Sequence, residues 1–428
     1  MSRSSGGLAV AMTLTALLAA TTVASADTRV LAGAATADIT PPTGFPMWGY
    51  GDRHDLPSVG VLDPLYAKAL VLQAGDDKVA LVGLDLGRSP GRGSMATIRS
   101  AVAAEAGVGT VMMVGSHTHH GPVIETESWP TPDAPYVREL EKRLIGVIVS
   151  AAAAVVPAHV GVAAREVALN RNRHWKGDEP PVDRELSFLH TVTPDGRAIA
   201  TLVNYAAHPT LEEGERMEFS ADYPGHLMRA VEAVTGGVCV FMQGAAGDLS
   251  AAPAGERSPA SMGGQLAEAT LAALTDMTPV TVEDARIDSR EDDFDFESRV
   301  DWSNRLIIKA YSDAFYPGIV KASVAEFEGS IRPHLTTVLL SGTGVDVAFA
   351  GVSGELFCDL GLRLKERSPV QAIVFGYCNG HQLYFPTIEA AAMGGYGGDP
   401  AVAPIEVGGP EVMVDRALIR IFEMGGEL

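Results

Sequence analysis

Residues 110–122 read Thr-Val-Met-Met-Val-Gly-Ser-His-Thr-His-His-Gly-Pro. The first six form a short apolar run, the pattern of a buried strand, and the chain leaves it through three histidines. On an extended backbone residues i and i+2 share a face, so His117 and His119 are expected to converge on one site. Neutral imidazole is a common zinc ligand, and two such ligands at a strand end suit a hydrolytic metal site. The competing reading is a surface loop that is merely rich in histidine. The H-x-H-x-D-H pattern of metallo-β-lactamases fails here, since Gly121 and Pro122 take its last two positions. The H-x-H of amidohydrolase barrels belongs on a first strand, whereas a hairpin and a helix precede this one.

Working outward, Lys68–Gln73 and Val79–Leu86 flank Gly75-Asp76-Asp77 and predict a β-hairpin. Ser94–Ala106 has helical spacing and Gly107 would stop it. Pro135–Val156 predicts a long helix ended by Pro157. Leu186–Val192 and Ala198–Tyr205 predict a second hairpin, and Val238–Met242 another strand. Helices over Met262–Leu274 and Val300–Phe315, with strands over His334–Leu340 and Val345–Ala350, complete the pattern. No repeat at a fixed period is visible. Hairpins mixed with crossover helices imply an α/β fold: mixed β-sheets covered by helices, an αββα-like layered unit.

The 428 residues are 46% hydrophobic and 20% charged, enough for a large buried core. With 32 Lys and Arg against 53 Asp and Glu the net charge is −21. So acidic a surface repels phosphate backbones and anionic membranes, which argues against nucleic acid as a partner. Three cysteines are no disulfide framework, although one pair is able to bridge. Leu8–Ala20 is apolar but too short to span a bilayer, and it runs into Ala24-Ser25-Ala26, a pattern signal peptidase accepts. Residues 1–26 therefore read as a signal peptide. Residues 27–428, which have no transmembrane segment, read as a secreted or periplasmic catalytic domain.

Four further segments carry groups suited to chemistry. His208 stands in Asn204-Tyr-Ala-Ala-His-Pro-Thr210, again at a strand end. Gln243-Gly-Ala-Ala-Gly-Asp-Leu-Ser250 is a small-residue loop presenting Asp248 and Ser250. Glu355 follows Gly354 at a helix start, where helix electrostatics alone favour an acid. Gly380-His-Gln-Leu-Tyr-Phe-Pro-Thr387 precedes Gly394-Gly-Tyr396. Each, alone, also reads as an ordinary cap, turn or packing residue.

In order and content these segments resemble the neutral ceramidases, zinc amidases that cleave the N-acyl bond of ceramide. Gly33-Ala-Ala-Thr-Ala-Asp-Ile-Thr-Pro-Pro42 is similar to that family's mature amino terminus, and His-Thr-His-x-Gly-Pro is its most specific motif. The resemblance spans about residues 30–400. It implies Zn2+ on His117, His208, Glu355 and Tyr384, with His119 as acid/base or orienting group. A second family tyrosine twelve positions on matches Tyr396, and Ser250 matches a proposed nucleophile, with a zinc-activated water as the alternative. The family's active-site arginine follows an asparagine; of Arg171 and Arg173 the first is preferred. Asp222 and Asp248 are candidates to orient the ligand histidines.

Three departures bear on substrate: Pro209 where Gly is usual, His120 where Ser is usual, and no immunoglobulin-like domain expected after the catalytic one. The segment Asp292–Tyr316, placed to cover the site entrance, matches nothing in the family. The implied partner is a lipid-like N-acyl amide, with oligomeric state left open. The alternatives are a smaller N-acyl amide or ester on the same site, or a secreted binding protein without turnover.

Overall fold

The computed structural model describes Met1 and residues 28–124, 136–327 and 329–428. The signal-peptide segment lies almost wholly outside the described residues. Strands β1 (Val30–Asp38), β2 (Tyr66–Ala74), β3 (Asp77–Leu84) and β4 (Thr110–Gly115) form one sheet in the order β4-β3-β2-β1. The β2–β3 pair is the expected hairpin, and α1 (Arg92–Ala106) crosses over to set β4 parallel to β3. Gly107, at φ 65°, ends α1 in the left-handed conformation glycine adopts without strain. Helix α2 (Tyr136–Ala153) stops before Val156, which joins the sheet edge instead. A residue preceding proline is pushed towards extended backbone, so Val156-Pro157 cannot continue the helix.

The second sheet contains β5 (His159–Glu166), β6 (Glu185–Val192), β7 (Ala198–Tyr205) and β8 (Val238–Gln243), in the order β8-β7-β6-β5. Helix α3 (Asp222–Thr235) connects β7 to the parallel β8, and α4 (Pro259–Asp276) packs beside it. The third sheet, β9 (Glu283–Asp293), β10 (His334–Thr343), β11 (Val345–Val352) and β12 (Gln371–Phe375), is ordered β9-β10-β11-β12. Between β9 and β10 lie α5 (Arg305–Ala314) and α6 (Pro317–Phe327). Helix α7 (Cys358–Arg367) crosses over to β12, and α8 (Gly409–Gly425) covers that sheet. The helix expected from Val300 begins later because Asn304 caps it, its side chain accepting from the Leu306 N–H.

The three sheets share one topology: an outer strand, an antiparallel hairpin, then a crossover helix to a parallel strand. The repeat is one of strand order, with no sequence period to betray it. Period-two alternation lets the inner strands bury both faces. From β2, Ala69 and Val71 pack under α1 and α2, while Leu70 and Leu72 enter a core shared with Leu202, Val240, Val338 and Phe349 of the other sheets. Because every crossover is parallel, the carboxyl ends of β4, β7, β8, β11 and β12 open on one region, where α/β sheets place ligands. Cross-links hold it: Asn204 Nδ2 donates to the Met242 and Val374 carbonyls, and Asn379 pairs with Met113 through both backbone and side chain.

Just past β3, buried Asp85 accepts the Tyr66 N–H at 2.9 Å. Burial pushes its carboxyl up to about 7; Lys68 and Arg229 oppose this and Asp63 adds to it. Below the unfolded pKa both states hold the proton. Between about pH 4 and 7 the unfolded chain releases it first, so stability falls as pH rises, by about 4 kcal/mol at most. Asp85→Asn is expected to leave the melting temperature unchanged near pH 4 and raise it by a few degrees at pH 8. Thermal melts of both proteins at the two pH values check this.

Candidate metal centre

His117 follows β4 in a left-handed backbone conformation, φ 69°, rare for a residue with a Cβ and common at functional sites. His117 and His119 do converge, their rings 5.1 Å apart, but through this turn and not through extended alternation. His208 follows β7. Glu355 follows β11 in a two-residue strand, Glu355–Leu356, paired in parallel with Tyr384–Phe385, so Glu355 and Tyr384 stand side by side. Each sheet thus contributes from the carboxyl end of its parallel strand pair.

The donor atoms are fixed by what lies behind them. His117 Nδ1 is 2.8 Å from the Gly87 carbonyl, and His208 Nδ1 is 2.7 Å from that of Ala246. A carbonyl only accepts, so both Nδ1 atoms carry a hydrogen, and in the neutral form of each ring Nε2 presents its lone pair. Those Nε2 atoms face one oxygen, Glu355 Oε2, at 3.3 and 3.2 Å. His208 is pushed down to about 3 by burial and by Arg173, so it stays neutral. With the rings neutral, two lone pairs and a carboxylate turn on one point; the Arg173 guanidinium meets His208 Nε2, and a metal cation would join all three. Both ring nitrogens of His119 are buried without a hydrogen-bond partner, a further sign of a ligand to be met there. Mixed imidazole and oxygen donors suit zinc, and the His117–His119–His208 and His117–Glu355–His381 groups each bring their donor atoms within 4.8 Å of one another.

Arg173, and not Arg171, belongs to this cluster. Its Nη2 donates to His208 Nε2 at 2.8 Å, the Gly247 carbonyl at 3.0 Å and the Tyr384 hydroxyl at 3.1 Å. Arg171 sits on the short strand Asn170–Asn172, whose alternation turns it out to solvent. Ser250 is half-buried, opposite Arg171 on the paired strand Leu249–Ala251 and in a backbone bridge with His208. Tyr396 stands at the rim, 66% exposed, with its ring 5.5 Å from that of Tyr384. The carboxylates of Asp222 and Asp248 do not reach the ligand rings. Asp222 accepts from Leu211, Glu212 and Tyr223 N–H groups at the start of α3, and Asp248 caps α7 through the Cys358 N–H. Backbone carbonyls do the orienting expected of them. Cys239, Cys358 and Cys378 are all free and buried, so no pair bridges.

Sequence reading assigned no role to Trp48, Arg53 or His381. Trp48 packs edge-on against His117, His119 and His381. Arg53 is buried and donates to the carbonyls of Trp48, His119, Gly214 and Arg216, pinning the backbone of His119. An arginine bound to carbonyls leaves no local motif. His381 stood in a quoted segment, and its place after a buried strand was the available signal.

The rear of the cluster has no slack. A Cβ on Gly247 would lie 2.3 Å from the Glu355 carbonyl oxygen, which is backbone and cannot swing aside. Gly247→Ala is therefore expected to displace Glu355 and weaken metal binding about tenfold or more, as changes behind metal ligands do. Zinc competition against a chromophoric chelator measures it.

No family model matches the sequence, and no curated protein matches it. Solved structures do. The crystal structure of neutral ceramidase from Pseudomonas aeruginosa superposes with a TM-score of 0.71 at 17% identity, covering 93% of this chain and 75% of that one. A ceramidase complexed with C2 gives a TM-score of 0.74 at 16% identity, covering 94% and 76%. The chain has the neutral ceramidase fold. At this identity the likeness is one of architecture, and the centre described above occupies the strand ends of that ceramidase fold. Among the described residues no helix is long and apolar enough to cross a membrane.

Proposed function

We propose that this protein is a secreted zinc-dependent amidase that hydrolyses the N-acyl bond of ceramide or a related N-acyl lipid. The observation that carries the reading is the convergence of the His117 and His208 lone pairs on Glu355, beside Tyr384, at the foot of an apolar cavity. His117, His208, Glu355 and Tyr384 would hold the zinc, which when bound polarises the amide carbonyl and lowers the pKa of water towards about 7.

The protein groups divide the remaining work. His119 keeps a neutral ring, its pKa lowered well below the ordinary value by burial and by His117 and His208. A neutral ring at the cavity wall can take the proton from an attacking water and return it to the departing amine. Arg173 and Tyr396 would donate to the tetrahedral oxyanion. Ser250, bridged to His208, and a water molecule are the two nucleophiles the arrangement offers.

Two arms meet at His119. One runs beneath α5 and α6 and is lined by Trp302, Tyr311, Phe315, Ile319, Val320 and Phe327. The other is polar, lined by Thr210, Glu212, Glu213 and Arg257. An acyl chain fits the first and the amine half of the amide the second, which favours an N-acyl lipid over a small polar amide. The segment Asp292–Tyr316, unmatched in sequence, supplies much of the roof through Trp302, Tyr311, Phe315 and Tyr316.

The test is release of fatty acid from a short-chain fluorescent ceramide, with and without a zinc chelator. Turnover lost on chelation and restored by zinc is expected. No turnover by folded, zinc-loaded protein rejects ceramide and directs the search to other N-acyl amides and esters.

A further inference from the structure

Four imidazoles, His117, His119, His208 and His381, stand near Glu355, and the last has no part in the proposed catalysis. His381 follows β12 in the loop Cys378-Asn-Gly-His381 and is buried. Its Nε2 lies 3.1 Å from Glu355 Oε1, the oxygen that faces away from His117 and His208. The carboxylate can only accept, so His381 donates Nε2–H to it. The loop is anchored independently of the centre. Asn379 Nδ2 donates to the Val111 carbonyl and Thr336, and the Gly380 N–H donates to Ser89 Oγ. Trp48 stacks edge-on against the imidazole. His381 is thus held by β4, β10 and the segment after β3, and it passes that rigidity to a single oxygen of Glu355.

We propose that His381 is a positioning residue for the metal centre: by holding Glu355 Oε1 it reserves Oε2 as the metal-facing atom and makes Glu355 a one-oxygen ligand. This rests on the zinc reading above. The His117–Glu355–His381 grouping does not describe a second ion, because it shares His117 Nε2 and the Glu355 carboxylate with the first. Free rotation of the carboxylate, or capture of the metal through both oxygens, is what His381 prevents.

The experiment compares zinc dissociation constants, by competition with a chromophoric chelator, for wild type, His381→Ala and His381→Gln. The glutamine amide places a donor close to where Nε2 stands. His381→Ala is expected to weaken zinc binding 10- to 100-fold, the range for residues that orient metal ligands, and His381→Gln to recover most of it. Cobalt-loaded protein adds a spectroscopic reading: His381→Ala should shift the visible d–d bands and His381→Gln should return them towards wild type. Equal affinities and unchanged cobalt spectra in all three overturn the proposal, as does a misfolded alanine variant accompanied by a glutamine variant whose affinity stays tenfold weak. Wild-type protein that takes up no zinc rejects the metal reading itself, and is told apart by the wild-type titration alone.

Discussion

Glu355→Gln is expected to remove the metal and lower amide hydrolysis on the order of a thousandfold or more, while the protein still folds. The substitution keeps shape and removes charge. Among the described residues Glu355 is the one carboxylate that faces His117, His208 and His381 together. Without it the candidate donors are neutral imidazoles and the Tyr384 phenol, whose pKa is raised well above its usual value by burial and by Glu355. A neutral set holds a divalent cation far less tightly, and with the cation goes both carbonyl polarisation and water activation. A thousandfold loss corresponds to about 4 kcal/mol of transition-state stabilisation. Metal analysis should read near one zinc per wild-type chain and near none per variant. Full activity and full zinc content in the variant would remove Glu355 from the centre.

Arg173→Ala is expected to lower kcat by about a hundred- to a thousandfold, the cost of deleting one preorganised oxyanion donor, whereas Arg171→Ala should stay within about twofold of wild type. Arg173 reaches His208, Gly247 and Tyr384 from one nitrogen, and Arg171 points to solvent. Arg173→Lys is expected to recover little, because an ammonium cannot reproduce the planar fork of the guanidinium. Zinc affinity should move much less than kcat for Arg173→Ala. A reversed order, Arg171 costly and Arg173 silent, would refute the assignment.

The contrast between these arginines marks where sequence was legible. Asn170-Arg171-Asn172-Arg173 offers two identical dipeptides, and a single strand residue decides between them. Residues i and i+2 share a face of an extended strand, so alternation alone would send both arginines the same way; they part because the strand ends at Asn172 and Arg173 lies beyond it. The strands Thr110–Gly115, Leu186–Val192 and Ala198–Tyr205 were readable because both faces are buried and apolar runs announce them. The pairing of Glu355 with Tyr384 was not, since two-residue strands thirty residues apart carry no periodic signal. Nor was the threefold repetition of sheet topology, which is held by strand order while the sequences of the three units differ. The tautomers of His117 and His208 depend on the carbonyls of Gly87 and Ala246, contacts 30 and 38 residues distant. Conversely, the strand-end positions of His117, His208 and Glu355 were visible as residues. Only the fold could bring them to one point.

The most direct test of the account is an anomalous-difference map at the zinc edge from crystals of the zinc-loaded protein. The account predicts a single strong peak among His117 Nε2, His208 Nε2, a Glu355 oxygen and the Tyr384 hydroxyl, at bonding distances of about 2.0–2.2 Å. A peak elsewhere, or none in protein shown to turn over substrate, would contradict it.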